Sequence, residues 1–377
     1  MKNTYVDNWQ TIKDRFEQWW NCQPWDKPLM KIIAPGEPRI PNTGKTAANE
    51  KHNAPDTVEA PDTVEPREKY LNVRNIIAKY RSFCATHFFL ADAFPAADVD
   101  LGPGSMALYL GGQPVFTRET VWYKEKFTSP KEFRSLHYDE HNRWWVTQQS
   151  MIKEALELAA EDFYITIPDL VENLDILSAL RGPQNLCFDM IDDPKAVHDG
   201  VKIIDDCYFK YYNYCYNLLK DKDHSSSYMF FNILGRGRVS KLQCDFSALI
   251  SPEMFREFVQ PSLAKQCRNL DYSLYHLDGP DAIKHVPALM EIEKLNALQW
   301  SYGAGNPDGG SPRWYPIYDQ VRTAGKALWI SLEDGGPEDW TRGVQRLVKR
   351  YGPTGLYFTF PVFPDLAQAN KMATLFD

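Results

Sequence analysis

The 377-residue sequence predicts an α/β fold built on a parallel sheet, and two observations carry that prediction. From about residue 160 onward, short apolar runs alternate regularly with longer amphipathic stretches, strand and helix in turn. Two of the runs, Tyr272–Leu277 and Leu295–Trp300, are joined by an abrupt Asp278-Gly279-Pro280 turn and a helical pattern (Ala282, Ile283, Val286, Leu289, Met290), the strand-helix-strand unit of a parallel sheet. No Gly-x-Gly-x-x-Gly opens a helix and no phosphate-loop sequence occurs, so nucleotide binding has no support. About eight such strands would close a (β/α)8 TIM barrel, with an open doubly wound sheet as the alternative. The expected organisation is one barrel domain over 1–377, preceded by a helical extension.

The elements follow in order. Trp9 to Trp20 reads as a helix, with apolar residues at Trp9, Ile12, Phe16, Trp19 and Trp20. Pro24 to Pro28 ends it, and Leu29–Ile33 is the first strand. Residues 34–66 read as an insertion carrying a tandem duplication, 54–59 and 60–65. Too few apolar residues occur there to offset the entropy of ordering, so a mobile surface loop without chemistry is expected. A helix from Pro66 to about Cys84, an irregular segment Leu90–Asp98 and an excursion strand or half-hairpin over Val115–Tyr123 follow. Then come a long helix from Glu140 to Leu158 and a buried strand, Phe163–Ile167. Beyond it, strands are expected at Met229–Leu234, Gln243–Ala248, Tyr272–His276, Ala297–Trp300, Ala327–Leu332 and Gly355–Phe358. Helices are expected near 174–181, 194–220, 252–270, 281–291, 315–324 and 337–351.

A net charge of −8 argues against general nucleic-acid binding, which needs a basic face. No apolar run approaches the ~20 residues that span a bilayer, and the N-terminus lacks a signal-peptide core. Seven scattered cysteines without Cys-x-x-Cys make a disulfide framework improbable, so a cytoplasmic protein is expected. The 14% aromatic content fits a large core plus an interface, which leaves a homodimer open, or a pocket for a flat substrate.

In parallel sheets the carboxyl ends of strands carry the chemistry. His276 and Asp278 lie at such an end, two residues apart, and in extended chain both point to one side. An imidazole and a carboxylate converging there can bind a metal, or act as base and orienter. In the bland reading, Asp278 fixes the His276 tautomer or caps the following helix. His285, within the next helix, has no assigned role.

His276-Leu277-Asp278-Gly279 resembles the His-x-Cys-Gly signature of the uroporphyrinogen decarboxylase superfamily, which includes cobalamin-dependent methyltransferases. A second match, Cys244-Asp245 through Ile250-Ser251-Pro252-Glu253-Met254-Phe255 to Pro261, resembles that family's acidic strand end followed by Ser-Pro-Glu-x-Phe. The similarity runs from about Asn8 to the C-terminus, apart from the insertion. What it implies is a TIM barrel whose active cleft holds His276, Asp278 and Asp245 as catalytic residues, with His276 and Asp278 as zinc ligands. Asp92, Asp169, Asn173, Trp300 and Glu333 are the implied substrate-binding positions, Glu333 doubling as a third metal ligand in a mixed site. The family's later zinc cysteine is absent, since the last strand reads Leu356-Tyr357-Phe358-Thr359-Phe360. The decarboxylase's arginine motif after the first strand is also missing, so a substrate with many carboxylates is disfavoured.

The resemblance therefore points to methyl transfer from a small methylated substrate, such as a methoxylated aromatic or a methylamine. No Asp-x-His-x-x-Gly corrinoid-binding sequence occurs, so cobalamin would arrive on a separate corrinoid protein. The alternatives are a metal-free decarboxylase, a barrel glycosidase using two carboxylates, and a ligand-binding barrel without catalysis.

Overall fold

A computed structural model describes residues 1–36, 65–228 and 230–377, and shows a mixed α/β architecture around a central parallel sheet. The strands of the first half are β1 (Leu29–Pro35), β2 (His87–Ala91), β3 (Ala96–Ala97), β4 (Gln113–Phe116), β5 (Val121–Lys124) and β6 (Tyr164–Ile165). Those of the second are β7 (Ser225–Tyr228), β8 (Ile233–Arg236), β9 (Val239–Gln243), β10 (Tyr272–Asp278), β11 (Ala297–Ser301), β12 (Ala327–Ser331) and β13 (Leu356–Thr359). One sheet runs β2-β1-β13-β12-β11-β10-β9, parallel throughout except for the antiparallel pairing of β2 on β1. Strand and helix alternate along its second half, which the apolar periodicity anticipated.

A closed sheet is not found among the described residues. The large sheet ends at β2 and β9, and the other strands pair only in twos: β3 with β6, β4 with β5, β7 with β8. The reason is local. β3 and β6 are two residues long, and β7 turns back on β8 as an antiparallel hairpin, so no continuous ladder joins the two edges.

The helix Trp9–Trp20 forms where the apolar spacing places it, and it buries that stripe against the sheet. Trp20 Nε1 donates to the Leu234 carbonyl at 2.8 Å, and Phe16 meets Tyr357 edge-on with ring centroids 5.4 Å apart. Burying Phe16 alone contributes roughly 1.5–3 kcal/mol. Lys13 on this helix pairs with Asp221 at 2.6 Å and with Asp223 at 2.7 Å.

Four expectations are corrected in detail. The strand expected at Gln243–Ala248 lies earlier, at β9, and Asp245–Leu249 is a 3-10 turn. The strand expected at Met229–Leu234 is replaced by the β7–β8 hairpin, Met229 itself lying outside the described residues. The helix from Pro66 breaks at Asn72, whose side chain accepts from Asn75 N at 3.0 Å and so starts a second helix. The helix over 252–270 divides in two, with Pro261 in the first turn of its second half. Of the insertion expected at 34–66, residues 37–64 lie outside the described residues, 34 and 35 continue β1, and Pro66 opens a helix. Among the described residues, no helix is long and apolar enough to cross a membrane.

Candidate metal and substrate site

Side chains alternate between the two faces of a strand, and paired residues of neighbouring parallel strands share a face. One face of the central sheet carries Leu242, Leu277, Leu298, Trp300, Leu328, Ile330 and Phe358, all fully buried. The other face carries a row of polar groups beside Leu274, Trp329 and Tyr357. His276 pairs with Gln243 on one side and Gln299 on the other, Asp278 with Ser301, and Thr359 with both Ser331 and Lys31. A parallel sheet buried on both faces is normally apolar on both. The row of polar groups on one face is the departure that marks a site.

Asp245, His276 and Asp278 each place one ligand atom within 4.8 Å of the other two. Each is held by its own device. Asp278 ends β10, and Gly279, at φ 77°, turns the chain sharply away through a conformation that L-residues rarely adopt. His276 Nδ1 contacts Gln299 Oε1, which puts the proton on Nδ1 and leaves the Nε2 lone pair for a ligand. Asp245 follows β9 in the 3-10 turn, where the Asp175 carboxylate accepts from Asp245 N at 2.9 Å and Phe246 N at 2.8 Å. Gln243 Nε2 donates to Asp245 Oδ2 at 2.8 Å and to Asp175 Oδ2 at 3.1 Å, fixing the two carboxylates side by side.

Electrostatics follow from this crowding. Burial, then the Lys241 ammonium, holds His276 below its ordinary pKa, so the imidazole is neutral and able to ligate. Asp245 is exposed at its rim, yet desolvation by the surrounding walls, then the charge of Asp175, raises its pKa to about 8, with Asp278 adding to the effect. A cation among these three groups would reverse that penalty.

Beneath the triad, Lys241 is buried and reaches Asp169 Oδ1 at 2.9 Å and the Gln243 side-chain oxygen. Burial alone would depress its pKa, but Asp169 and Glu172 outweigh it and the net shift is upward. Glu172 is fully buried. Its Oε1 accepts from Gln243 N at 2.8 Å and its Oε2 has no partner among the described residues, and burial drives its pKa well above the usual carboxylate range. Asp98 nearby is pushed up to about 7, first by burial and then by Asp100.

Two cavities flank the triad. His276 lines one of about 710 Å³, together with Gln299, Phe231, Trp329, Lys31 and Glu333. Asp245 lines the other, about 450 Å³, which is walled by Asp175, Gln243 and the exposed Trp122 of the β4–β5 hairpin. The Phe231 ring, 5.2 Å from His276 and 5.7 Å from Trp329, floors the larger cavity.

The structure sorts the residues singled out by sequence. His276, Asp278 and Asp245 come together. Glu333 lines the larger cavity but accepts from the Tyr302 hydroxyl at 2.7 Å, so Asp245 and not Glu333 completes the cluster. Asp169 serves Lys241. Three placements do not hold. Asp92 is sealed under β1 in an ion pair with Arg15, accepting also from Met30 N at 2.9 Å. Asn173 is buried and donates to the Gln243 carbonyl at 2.9 Å, supporting β9 rather than meeting a substrate. Trp300 points to the apolar face and packs on Trp314, ring centroids 5.0 Å apart. His285 is buried away from the site, stacked on Phe255 and bonded to the Ser247 carbonyl at 2.9 Å. Sequence reasoning missed Lys31 and Lys241. Their signal is a lysine in mid-strand among apolar neighbours, Leu29-Met30-Lys31-Ile32-Ile33 and Val239-Ser240-Lys241-Leu242.

No family model matches the chain, and no curated protein matches it. Among solved structures, a methyltransferase from Methanosarcina mazei aligns over 97% of this chain and 97% of its own, with a TM-score of 0.57 and 12% identity, a likeness of fold. A malate synthase from Haloferax volcanii, in its lead(II) complex, aligns over 60% of this chain and 58% of its own at 14% identity, with a TM-score of 0.29, too low to indicate a shared fold.

Proposed function

We propose that this chain is a methyltransferase of the uroporphyrinogen decarboxylase superfamily, using a divalent metal at Asp245, His276 and Asp278 to transfer a methyl group from a small methylated substrate. The acceptor is a corrinoid carried by a separate protein. One observation carries the reading: three ligand atoms converge at strand ends, and His276 among them lines a cavity large enough for a small substrate. The likeness of fold to the methanogen methyltransferase supports it. We also read the central sheet with β3, β6 and β7 as the divided wall of a (β/α)8 barrel. Single backbone bonds, Thr166 N to Ala97 O at 3.1 Å and Ile167 N to Ser227 O at 3.0 Å, support that continuity.

The donor set fits a cation. One imidazole nitrogen and two carboxylate oxygens are ligands for zinc or another borderline divalent ion, and three protein ligands leave a position open, as catalytic sites require. When bound, such a metal supplies Lewis-acid polarisation of the substrate atom that bears the methyl group. The chain's own residues do the rest. Gln299 orients the imidazole, and Gln243 and Asp175 hold Asp245. Phe231 and Trp329 exclude water from the floor of the cavity. Lys241 keeps the assembled carboxylates from repelling one another unchecked.

The test is metal content after purification without chelators, for the natural chain and for His276→Ala, followed by a spectral assay of methyl transfer to free cob(I)alamin. Near-stoichiometric metal that the substitution removes, with methylcobalamin formed from a methoxylated aromatic or a methylamine, is the expected result. No metal in either protein would overturn the metal site. Bound metal without transfer from any donor of these two classes would overturn the reaction and leave the site.

A further inference from the structure

We propose that Lys31 binds a carboxylate of the substrate, and that the larger cavity is built for a small aromatic carboxylic acid. That the reacting group of this acid is a methyl ether rests on the methyl-transfer reading above; the recognition of its carboxylate does not.

The argument starts from an unfinished lysine. Lys13, Lys241 and Lys326 are the buried lysines among the described residues, and each ammonium has its acceptors. Lys13 has two carboxylates, Lys241 has Asp169, and Lys326 has the Ile292 and Leu295 carbonyls, each at 2.8 Å. Lys31 is half-buried in mid-strand and lines the 710 Å³ cavity, yet no acceptor among the described residues reaches it. Removing a cation from water without a partner is costly, and desolvation duly pulls its pKa down. The acidic groups on the same cavity are engaged elsewhere: Glu333 with Tyr302, and Asp334 with Asp308 N at 2.9 Å. Neither carboxylate reaches the Lys31 ammonium, which is left on the cavity wall for an anionic group from outside the chain.

The walls state the rest of the molecule. Thr359 is Lys31's neighbour in the sheet and Ser331 the next one along, so two hydroxyls stand beside the ammonium to donate to a carboxylate's second oxygen. Trp329, Phe231 and Phe360 line the same cavity with aromatic faces, which suit a flat ring. His276 and Gln299 lie across it, where the far end of such a ring would meet the metal ligands. One ammonium, with Glu333 and Asp334 on the rim, suits a monoanion and disfavours a phosphate dianion.

The experiment compares binding of 4-methoxybenzoate and its neutral isostere 4-methoxybenzamide by calorimetry at neutral pH, for the natural chain, Lys31→Met and Lys31→Arg. At least tenfold tighter binding of the benzoate is expected in the natural chain. Lys31→Met should erase that preference without weakening the amide, and Lys31→Arg should keep it. Methionine matches the lysine stem in volume and removes an unpaired charge, so folding is preserved, and the probe pair on the natural chain needs no variant at all. Equal binding of the two probes, binding of neither, or a preference that survives in Lys31→Met would overturn the proposal. The readout is binding and requires neither metal nor turnover, so a failed methyl-transfer assay leaves it standing, and its own failure leaves the metal site intact.

Discussion

Asp92 and Asp245 both follow a strand of the central sheet and both crowd against other polar groups, but their surroundings are completed in opposite ways. Asp92 is 1% exposed and receives the Arg15 guanidinium, with Nη2 at 3.0 Å, and the Met30 amide at 2.9 Å. Those donors pull its pKa down against burial, which still leaves it raised. Asp245 receives one side-chain donor, Gln243, and the Asp175 carboxylate beside it, with Asp278 adding to the effect, outweighs the pull of the Lys241 ammonium. A carboxylate finished from within the chain is part of the fold. One left among other carboxylates, at an open strand end beside a neutral histidine, is waiting for a cation from outside.

The sharpest way to break this contrast is the same chemical change at the two positions. Replacing Asp92 by Asn or Ala strands Arg15 beside a buried strand and should cost about 3–5 kcal/mol in urea unfolding, with metal content unchanged. Asp245→Asn, in protein stripped of metal, should leave stability unchanged or raise it, because it removes like-charge repulsion. If Asp245→Asn destabilises the metal-free protein as much as Asp92→Asn does, the distinction between the two carboxylates fails.

Metal itself provides the next largest effect. Zinc at one hundred times its dissociation constant should stabilise the natural chain by about 2.7 kcal/mol, and a chelator should reverse the gain. Asp245→Asn and His276→Ala should show no such rise in thermal denaturation, whereas Asp92 variants, though less stable, should still respond. Stabilisation by zinc that persists in both triad variants would place the ion elsewhere.

Much of this contrast could not be read from the chain. The helix Trp9–Trp20 is legible because a single stripe of apolar residues repeats at helical spacing. β10 and its turn are legible because Asp-Gly-Pro punctuates an apolar run. β9 was misplaced because its inward residues, Lys241 and Gln243, are polar, while the apolar Phe246 and Ala248 that suggested a strand sit in the turn beyond it. The polar face that makes the site therefore hides the strand that carries it. Trp300 marks a strand end correctly, but a one-residue difference in register decides which face it sees. Asp92 and Asp245 look alike in sequence, and what separates them is an arginine 77 residues away from one of them. Lys31 is a harder case still, since a missing partner leaves no trace in a sequence.

Asp205 offers the smallest and finest test, because it stands between the two extremes. It faces the helix Gln260–Asn269 from the helix Pro194–Leu219, is 4% exposed, and accepts from Ser262 Oγ at 2.5 Å, with no ion pair to a cation among the described residues. Burial lifts its pKa from 3.8 to about 6, with Ser262 and Lys265 pulling part of the way back. A carboxyl whose pKa is raised on folding binds more protons in the native state, so its contribution to stability is present at low pH and is lost as pH rises from about 4 through 6. At about 1.4 kcal/mol per unit, the loss is at most about 3 kcal/mol. Asp205→Asn keeps an oxygen for Ser262 and discards the charge. It should match the natural chain near pH 4 and exceed it by about 1–3 kcal/mol at pH 8 in paired urea titrations, with metal binding untouched. Equal stability of the two proteins at both pH values would mean that one hydroxyl completes a buried carboxylate as well as an arginine does, and the rule that separates Asp92 from Asp245 would lose its basis.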